Sequence, residues 1–319
     1  MRYPAGPGQR VTTQQQLAAS APPSAVFAYT VRWKPLPKFA VAAKGLGELR
    51  AAVEARRPAI VVDLAHDWPA LTHWQPPALI NRFGDRMVRV YDASFGQPGP
   101  GYMGSDKQVP FREFLDAVLT DRRDLRMFLH NLASAMPELV EDIRFPQVGL
   151  RFSRAFVFSF LGCRGSTTPL HFDIDMGYVL HTAVTGRRRI RLFSPADSVA
   201  LYRHPCTVRS YVDFDSLDVH RFPAATRVEG FEVILEPGQT ILMPPGWWHE
   251  FHYLDAGMGV SLRASSFGTF DRLRALRNLL LSSLLDRAAN RLAPDRWFRW
   301  KSARAEESAR RWLASVEAE

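Results

Sequence analysis

Nine histidines are spread along the chain, and two of them, with one aspartate, stand apart by type and spacing. His171 and Asp173 form a His-x-Asp pair, and in an extended strand the side chains at i and i+2 leave the same face. His249 ends the segment Pro244-Pro245-Gly246-Trp247-Trp248-His249, which reads as a turn entering a second strand. In that strand His249 shares parity with Trp247, Phe251 and Tyr253, so the aromatic face is the inner one and carries His249 with it. Two neutral imidazoles and one carboxylate are the facial set preferred by non-haem Fe(II), with three coordination positions open on the opposite side. A keto acid fills two of those and dioxygen the third. Asp175 also shares parity with His171 and is a more distant rival for the carboxylate position.

A keto diacid needs a cation at its far end. The run Arg187-Arg188-Arg189-Ile190-Arg191-Leu192-Phe193 offers four, and strand parity divides them. Arg188 shares a face with Ile190 and Leu192 and is expected to point into the apolar interior. There its planar fork suits a carboxylate, with a buried ion pair to Asp or Glu as the alternative. Arg187, Arg189 and Arg191 are expected to form a solvated stripe or to face an acidic partner.

The elements that must position these residues follow from periodicity. Residues 1–30, rich in Pro, Gly, Gln, Ser and Ala, read as a flexible leader. Leu46 to Ala55 has helical spacing, Pro58 to Val62 is a short β-branched run, Pro77 to Phe83 reads as a helix closed by Gly84, and Met87 to Tyr91 as a strand. Residues 95–109 read as a Gly- and Pro-rich loop, a lid or binding loop. Phe111 to Leu119 and Asn131 to Ile143 read as helices. After Arg151 short apolar segments alternate with turn signals, the pattern of a sandwich or barrel. Beyond Phe270 helical spacing returns, with Leu273, Leu276, Leu280, Leu284 and Leu292 on one face. The expected organisation is a leader at 1–30, an α/β N-terminal portion at 31–150 packed on the barrel, the barrel at 151–268, and a C-terminal helical segment at 269–319.

Composition limits the classes. With 46% hydrophobic and 23% charged residues, the 319-residue chain is an ordinary globular one, neither disordered nor collagen-like. No apolar run has the length of a membrane span. A formal charge of +9 favours acidic partners and keeps RNA among them. Cys163 and Cys206 form neither a CxxC pair nor a metal-spaced cluster. The N-terminal MRYPAGPGQR lacks the apolar region of a secretory signal, and the expected location is cytoplasmic.

Thr168-Pro169-Leu170-His171-Phe172-Asp173, the Gly186-Arg187-Arg188 turn into a strand, and Pro244 to His249 resemble the JmjC/cupin-like Fe(II)- and 2-oxoglutarate-dependent oxygenases. Within that family the motifs resemble those of the asparaginyl hydroxylase that inhibits hypoxia-inducible factor and of bacterial cupin-like relatives. The stretch from His204-Pro205-Cys206 to Arg221-Phe222-Pro223, and Pro58, Trp74 and Phe83-Gly84-Asp85, extend the resemblance over residues 31–268. It implies a mainly β fold, a double-stranded β-helix of the jelly-roll or cupin type, with an α/β N-terminal portion and C-terminal helices. It implies Fe(II) on His171, Asp173 and His249, and 2-oxoglutarate held at its far carboxylate by Thr168 and by Arg188, which replaces a lysine. It also implies dimerisation through the C-terminal helices.

The sequence departs from the family pattern at several places. Gly177 stands where an asparagine near the metal-side carboxylate belongs, Ser265 where a second asparagine does, and Phe128 where a tyrosine helps hold the far carboxylate. The Val208-Arg209 pair replaces polar peptide contacts, leaving Arg209 a candidate substrate residue, and Tyr102 lies near a lid tyrosine. The expected function is an oxygenase hydroxylating a protein or peptide side chain. A hydroxylase of a small metabolite or modified tRNA base is the alternative, as is a non-catalytic cupin-type binding protein.

Overall fold

The alternation after Arg151 produces strands because β-branched and aromatic residues fit a pleated, half-buried surface. The computed structural model describes residues 31–96, 106–120 and 124–318. Its strands are β1 (Arg32–Lys34), β2 (Lys38–Phe39), β3 (Ala59–Val61), β4 (Met87–Tyr91), β5 (Asp106–Pro110), β6 (Arg126–Asn131) and β7 (Phe152–Gly162). They continue as β8 (Thr167–His171), β9 (Tyr178–Ala183), β10 (Arg188–Phe193), β11 (Glu229–Leu235), β12 (Thr240–Met243), β13 (Trp248–Tyr253) and β14 (Gly257–Ala264). Five make one sheet in the order β1-β11-β10-β13-β8, and nine make the other, β2-β3-β12-β9-β14-β7-β6-β4-β5.

The two sheets close on an apolar interior. Ile190, Leu192, Val233, Leu235 and Phe251 from the smaller sheet meet Ile60, Val179, Ala183, Ile241 and Met243 from the larger. Alternate residues of the larger sheet face away: Leu180, Leu242, Met258, Val260 and Leu262 pack against the N-terminal portion, with Trp68, Trp74, Leu79, Phe83 and Phe114. Each fully buried Leu, Ile, Val or Phe contributes roughly 1.5–3 kcal/mol, so strand parity is strongly enforced. The mainly β double-stranded β-helix expected from the resemblance is the observed architecture.

Two glycines shape the turns that matter. Gly186, at φ 67°, starts the path into β10, and a Cβ there would meet the Ala256 carbonyl oxygen at 2.6 Å. Gly246, at φ 78°, turns the chain after Pro244-Pro245 into β13. Both adopt the left-handed region that glycine enters without steric cost.

The N-terminal portion differs in detail from the sequence reading. The strands β4, β5 and β6 extend the large sheet edge-on through β6–β7 pairing. Residues 106–109, read as the end of the loop, belong instead to β5, which pairs with β4; their alternation is too short to register as a strand in the sequence. The helix read over Asn131 to Ile143 is shorter: Leu132–Ala135 is helical, Pro137 interrupts it, and Pro137–Asp142 is a 3-10 turn. Tyr102 and the leader lie outside the described residues. At the C-terminus, helices cover Thr269–Leu276, Ser283–Leu292 and Pro294–Glu317, with a π-helical stretch at Arg277–Ser282. The last helix packs Ala305, Ala309 and Trp312 onto Tyr202 and Phe222. Among the described residues no helix is long and apolar enough to cross a membrane.

Candidate active site

His171 ends β8 and His249 lies on β13, directly opposite it in the antiparallel ladder. Their ring centroids are 4.3 Å apart. Asp173 reaches the same point by a route that strand parity did not describe. β8 stops at His171, and a turn follows in which the Met176 amide donates to the Asp173 carbonyl at 3.1 Å. The ligating atoms of His171, Asp173 and His249 all lie within 4.8 Å of one another.

The local bonding presets the donors. His171 Nδ1 lies 2.8 Å from the Pro169 carbonyl and His249 Nδ1 lies 3.0 Å from that of Trp247. A carbonyl only accepts, so each Nδ1 carries the hydrogen and each Nε2 keeps a free lone pair. Burial pushes the His171 imidazole down to about 3, with its neighbour His249 adding to the effect, and burial also lowers His249. Both rings are therefore neutral at ordinary pH, as metal ligands must be. Burial opposes the charge on Asp173, but Arg263 and the two imidazoles outweigh it and hold the carboxyl below its ordinary range. Two neutral imidazoles and one ionised carboxylate fit a divalent iron.

These groups line a cavity of about 120 Å³, with aromatic walls from Phe128, Phe160, Phe172 and Phe251. Thr168 also lines it and is buried, although simple parity puts it on the opposite face from His171. The reason is an irregularity in the ladder: His249 pairs with His171 while Phe251 pairs with Thr168, so β8 carries one extra residue at Pro169-Leu170. A bulge of this kind turns both side chains inward. Arg209 lines the cavity, and its backbone forms an antiparallel β-bridge with that of His171. Ser265 does not reach it. It falls just past the end of β14 and is exposed, while Ser261 and Arg263 hold the cavity-facing positions. The late residue of the last strand is thus Arg263, which no sequence spacing had singled out.

Arg188 is fully buried, and among the described residues it has no carboxylate within ion-pair distance. It sits behind two cavity-lining residues: its Nη1 is 3.0 Å from His181 Nε2, and its guanidinium lies over the Tyr253 ring at 4.7 Å. Its Nε has no partner among the described residues. An isolated buried cation is costly, and it calls for an anion. The other arginines of the run are not a solvated stripe. Arg187 pairs with Asp255, and Arg189 with Asp215. Arg191 is buried among Asp215, Glu232 and Glu250, at 2.7, 2.6 and 3.1 Å. Asp175, the rival ligand, is instead paired with Arg263.

The cupin-like domain family profile matches residues 46–264. The chain belongs to that family. Similar proteins include lysine-specific demethylase 8 of Xenopus tropicalis, 27% identical over 65% of this chain and 47% of that protein. They also include lysine-specific demethylase JMJ30 of Arabidopsis thaliana, 31% identical over 64% of this chain and 49% of that protein. A third is tRNA wybutosine-synthesizing protein 5 of Danio rerio, 28% identical over 67% of this chain and 70% of that protein. The chain spans about half the length of the two demethylases. JmjC members of this cupin-like family use Fe(II) and 2-oxoglutarate, and the donor set and the buried guanidinium of Arg188 suit both.

Proposed function

We propose that this cupin-like chain is an Fe(II)- and 2-oxoglutarate-dependent oxygenase that hydroxylates a protein or peptide side chain. The convergence of His171, Asp173 and His249 on one point of an aromatic cavity carries the reading. His171, Asp173 and His249 would hold the metal. Together with dioxygen, the bound metal and keto acid supply oxidative decarboxylation to succinate and carbon dioxide, with one oxygen atom entering a substrate C–H bond.

The chain's own residues orient and exclude. The Pro169 and Trp247 carbonyls fix the tautomers of the two imidazoles. The far carboxylate of the keto acid is drawn to the end of the cavity where His181 and Tyr253 meet Arg188, with Thr168 as a hydroxyl donor. The phenylalanines keep bulk water from the reacting centre. Arg209 contacts the substrate. No side chain acts as a general base. The leucine face of the C-terminal helices, with Leu273, Leu276, Leu280 and Leu284 all more than half exposed, serves to pair two copies of the chain.

A second reading is favoured by one observation: the match to the tRNA wybutosine-synthesizing protein covers 70% of that relative. On it, the substrate is a modified tRNA base. The test is incubation of the full chain with Fe(II), 2-oxoglutarate and either a peptide library or total tRNA, reading succinate and substrate mass. Succinate with a gain of one oxygen on a peptide supports the first reading, and the same gain on a nucleoside supports the second. Loss of a methyl group would replace both with demethylation. Absence of 2-oxoglutarate turnover in every arm contradicts the oxygenase assignment.

A further inference from the structure

Arg263 shares the cavity-facing parity of β14 with Gly259 and Ser261. Its Nη2 bonds Asp173 Oδ1, and its Nη1 donates to both oxygens of Asp175, at 3.0 and 2.9 Å. Its Nε hydrogen has no partner among the described residues. The remaining Asp173 oxygen, Oδ2, faces His249 Nε2 at 4.0 Å. Asp173 is thus held by one oxygen and offers the other to the metal position.

The charges do not balance once a divalent ion arrives. One guanidinium between two carboxylates leaves a single net negative charge, and a divalent ion tips the group to net positive. The guanidinium and the metal then share Asp173 and repel each other in a largely buried setting, where such repulsion is poorly screened. One further anion restores neutrality, and the free Nε hydrogen of Arg263 is a donor for it.

Gly177 fits the same picture. It has no side chain to offer, and a Cβ at this position would meet the Ala264 carbonyl oxygen at 2.9 Å and Asp175 Oδ2 at 3.4 Å. The glycine leaves room for the Asp175–Arg263 pair.

We infer that Arg263 couples the two ligands of the site: it restricts Asp173 to one free oxygen and receives the metal-side carboxylate of the keto acid, so that metal and keto acid bind cooperatively. The inference rests on the oxygenase reading given above. By linkage each ligand tightens the other by the same factor, and couplings of this kind typically run from about 5- to 150-fold.

The test uses Mn(II) as the metal probe and the full chain, with affinity measured by electron paramagnetic resonance and by calorimetry, with and without 2-oxoglutarate. The expected wild-type result is Mn(II) affinity raised about tenfold or more by 2-oxoglutarate. Arg263→Met should bind Mn(II) alone at least as tightly as the wild type, and its 2-oxoglutarate effect should fall below about threefold. Should that variant not fold, Asp175→Asn answers the question from the other side. It leaves Arg263 less neutralised, so Mn(II) alone should bind more weakly and the 2-oxoglutarate effect should grow. Full coupling retained in Arg263→Met, unchanged coupling in Asp175→Asn, or a wild type that binds Mn(II) indifferently to 2-oxoglutarate overturns the inference alone. A wild type that binds neither Mn(II) nor 2-oxoglutarate overturns the oxygenase reading as well.

Discussion

Arg188 donates from Nη1 to His181 Nε2 at 3.0 Å, and His181 in turn donates from Nδ1 to Ser261 Oγ at 2.9 Å. An arginine can only donate, so this chain of contacts fixes His181 as the Nδ1-protonated neutral tautomer. Burial, and then Arg188 beside it, keep the imidazole well below its ordinary value. A buried guanidinium is thereby aimed from behind the cavity wall, with no carboxylate among the described residues in ion-pair reach.

Arg188→Ala should therefore weaken 2-oxoglutarate binding by about 30-fold or more, the scale of a lost charge-assisted contact, while leaving Mn(II) affinity nearly unchanged. Calorimetric titration of each ligand checks this. Arg187→Ala, which loses only an exposed pair with Asp255, should change neither.

Gly259 gives a subtler handle on the same pair. A Cβ there would meet the Arg188 guanidinium and lie 2.7 Å from His181 Nε2. Gly259→Ala should displace both and reduce 2-oxoglutarate affinity by about tenfold, with metal affinity preserved. Equal loss of both ligands would mean a collapsed barrel.

The Arg191 network is structural. Glu250 is buried beside it, so Arg191→Met leaves a carboxylate without its cation and should cost about 3–5 kcal/mol in a urea titration. An unchanged unfolding midpoint would show that the network contributes nothing.

His204 makes stability pH-dependent. It is buried against Tyr211 and Phe298, and burial, then Lys301 and Arg221, hold it down to about 4, with Asp286 opposing. The folded state thus resists a proton that the unfolded state accepts below about 6.5. Stability is full above that pH and falls as pH drops towards 4, by roughly 3 kcal/mol at most from this group. His204→Phe should flatten that part of the stability profile measured by thermal melting.

If the exposed leucine face pairs two copies, Leu276→Asp with Leu280→Asp should weaken dimerisation by about 100-fold or more, since each buried leucine is worth more than the 1.4 kcal/mol of a tenfold change. Sedimentation analysis over a range of concentrations would read it. A wild type that is monomeric throughout would remove the dimer.

Much of the barrel was legible because it rests on period-two alternation. Parity placed Arg188, Ile190 and Leu192 inward together, opposite Tyr253, Phe251 and His249. Where the chain leaves regular geometry, parity failed. The bulge at Pro169-Leu170 brings Thr168 inside, and the strand end at His171 leaves Asp173 on a turn. The Arg189 and Arg191 pairs were hidden because their carboxylates come from Asp215, Glu232 and Glu250, distant in sequence. Ser265 was placed by counting along a strand that ends one residue earlier. Arg263 had a readable signal, an arginine at the inward parity of the last strand, but no motif marked it.

The central claim is that one divalent ion is held by His171, Asp173 and His249. The direct measurement is anaerobic titration of the full chain with Fe(II) in the presence of 2-oxoglutarate, followed by calorimetry and visible absorption. One equivalent of Fe(II) should bind the wild type, with a keto-acid absorption band, and both should vanish in Asp173→Ala and in His249→Ala. A full equivalent still bound in those variants would place the metal elsewhere and contradict the account.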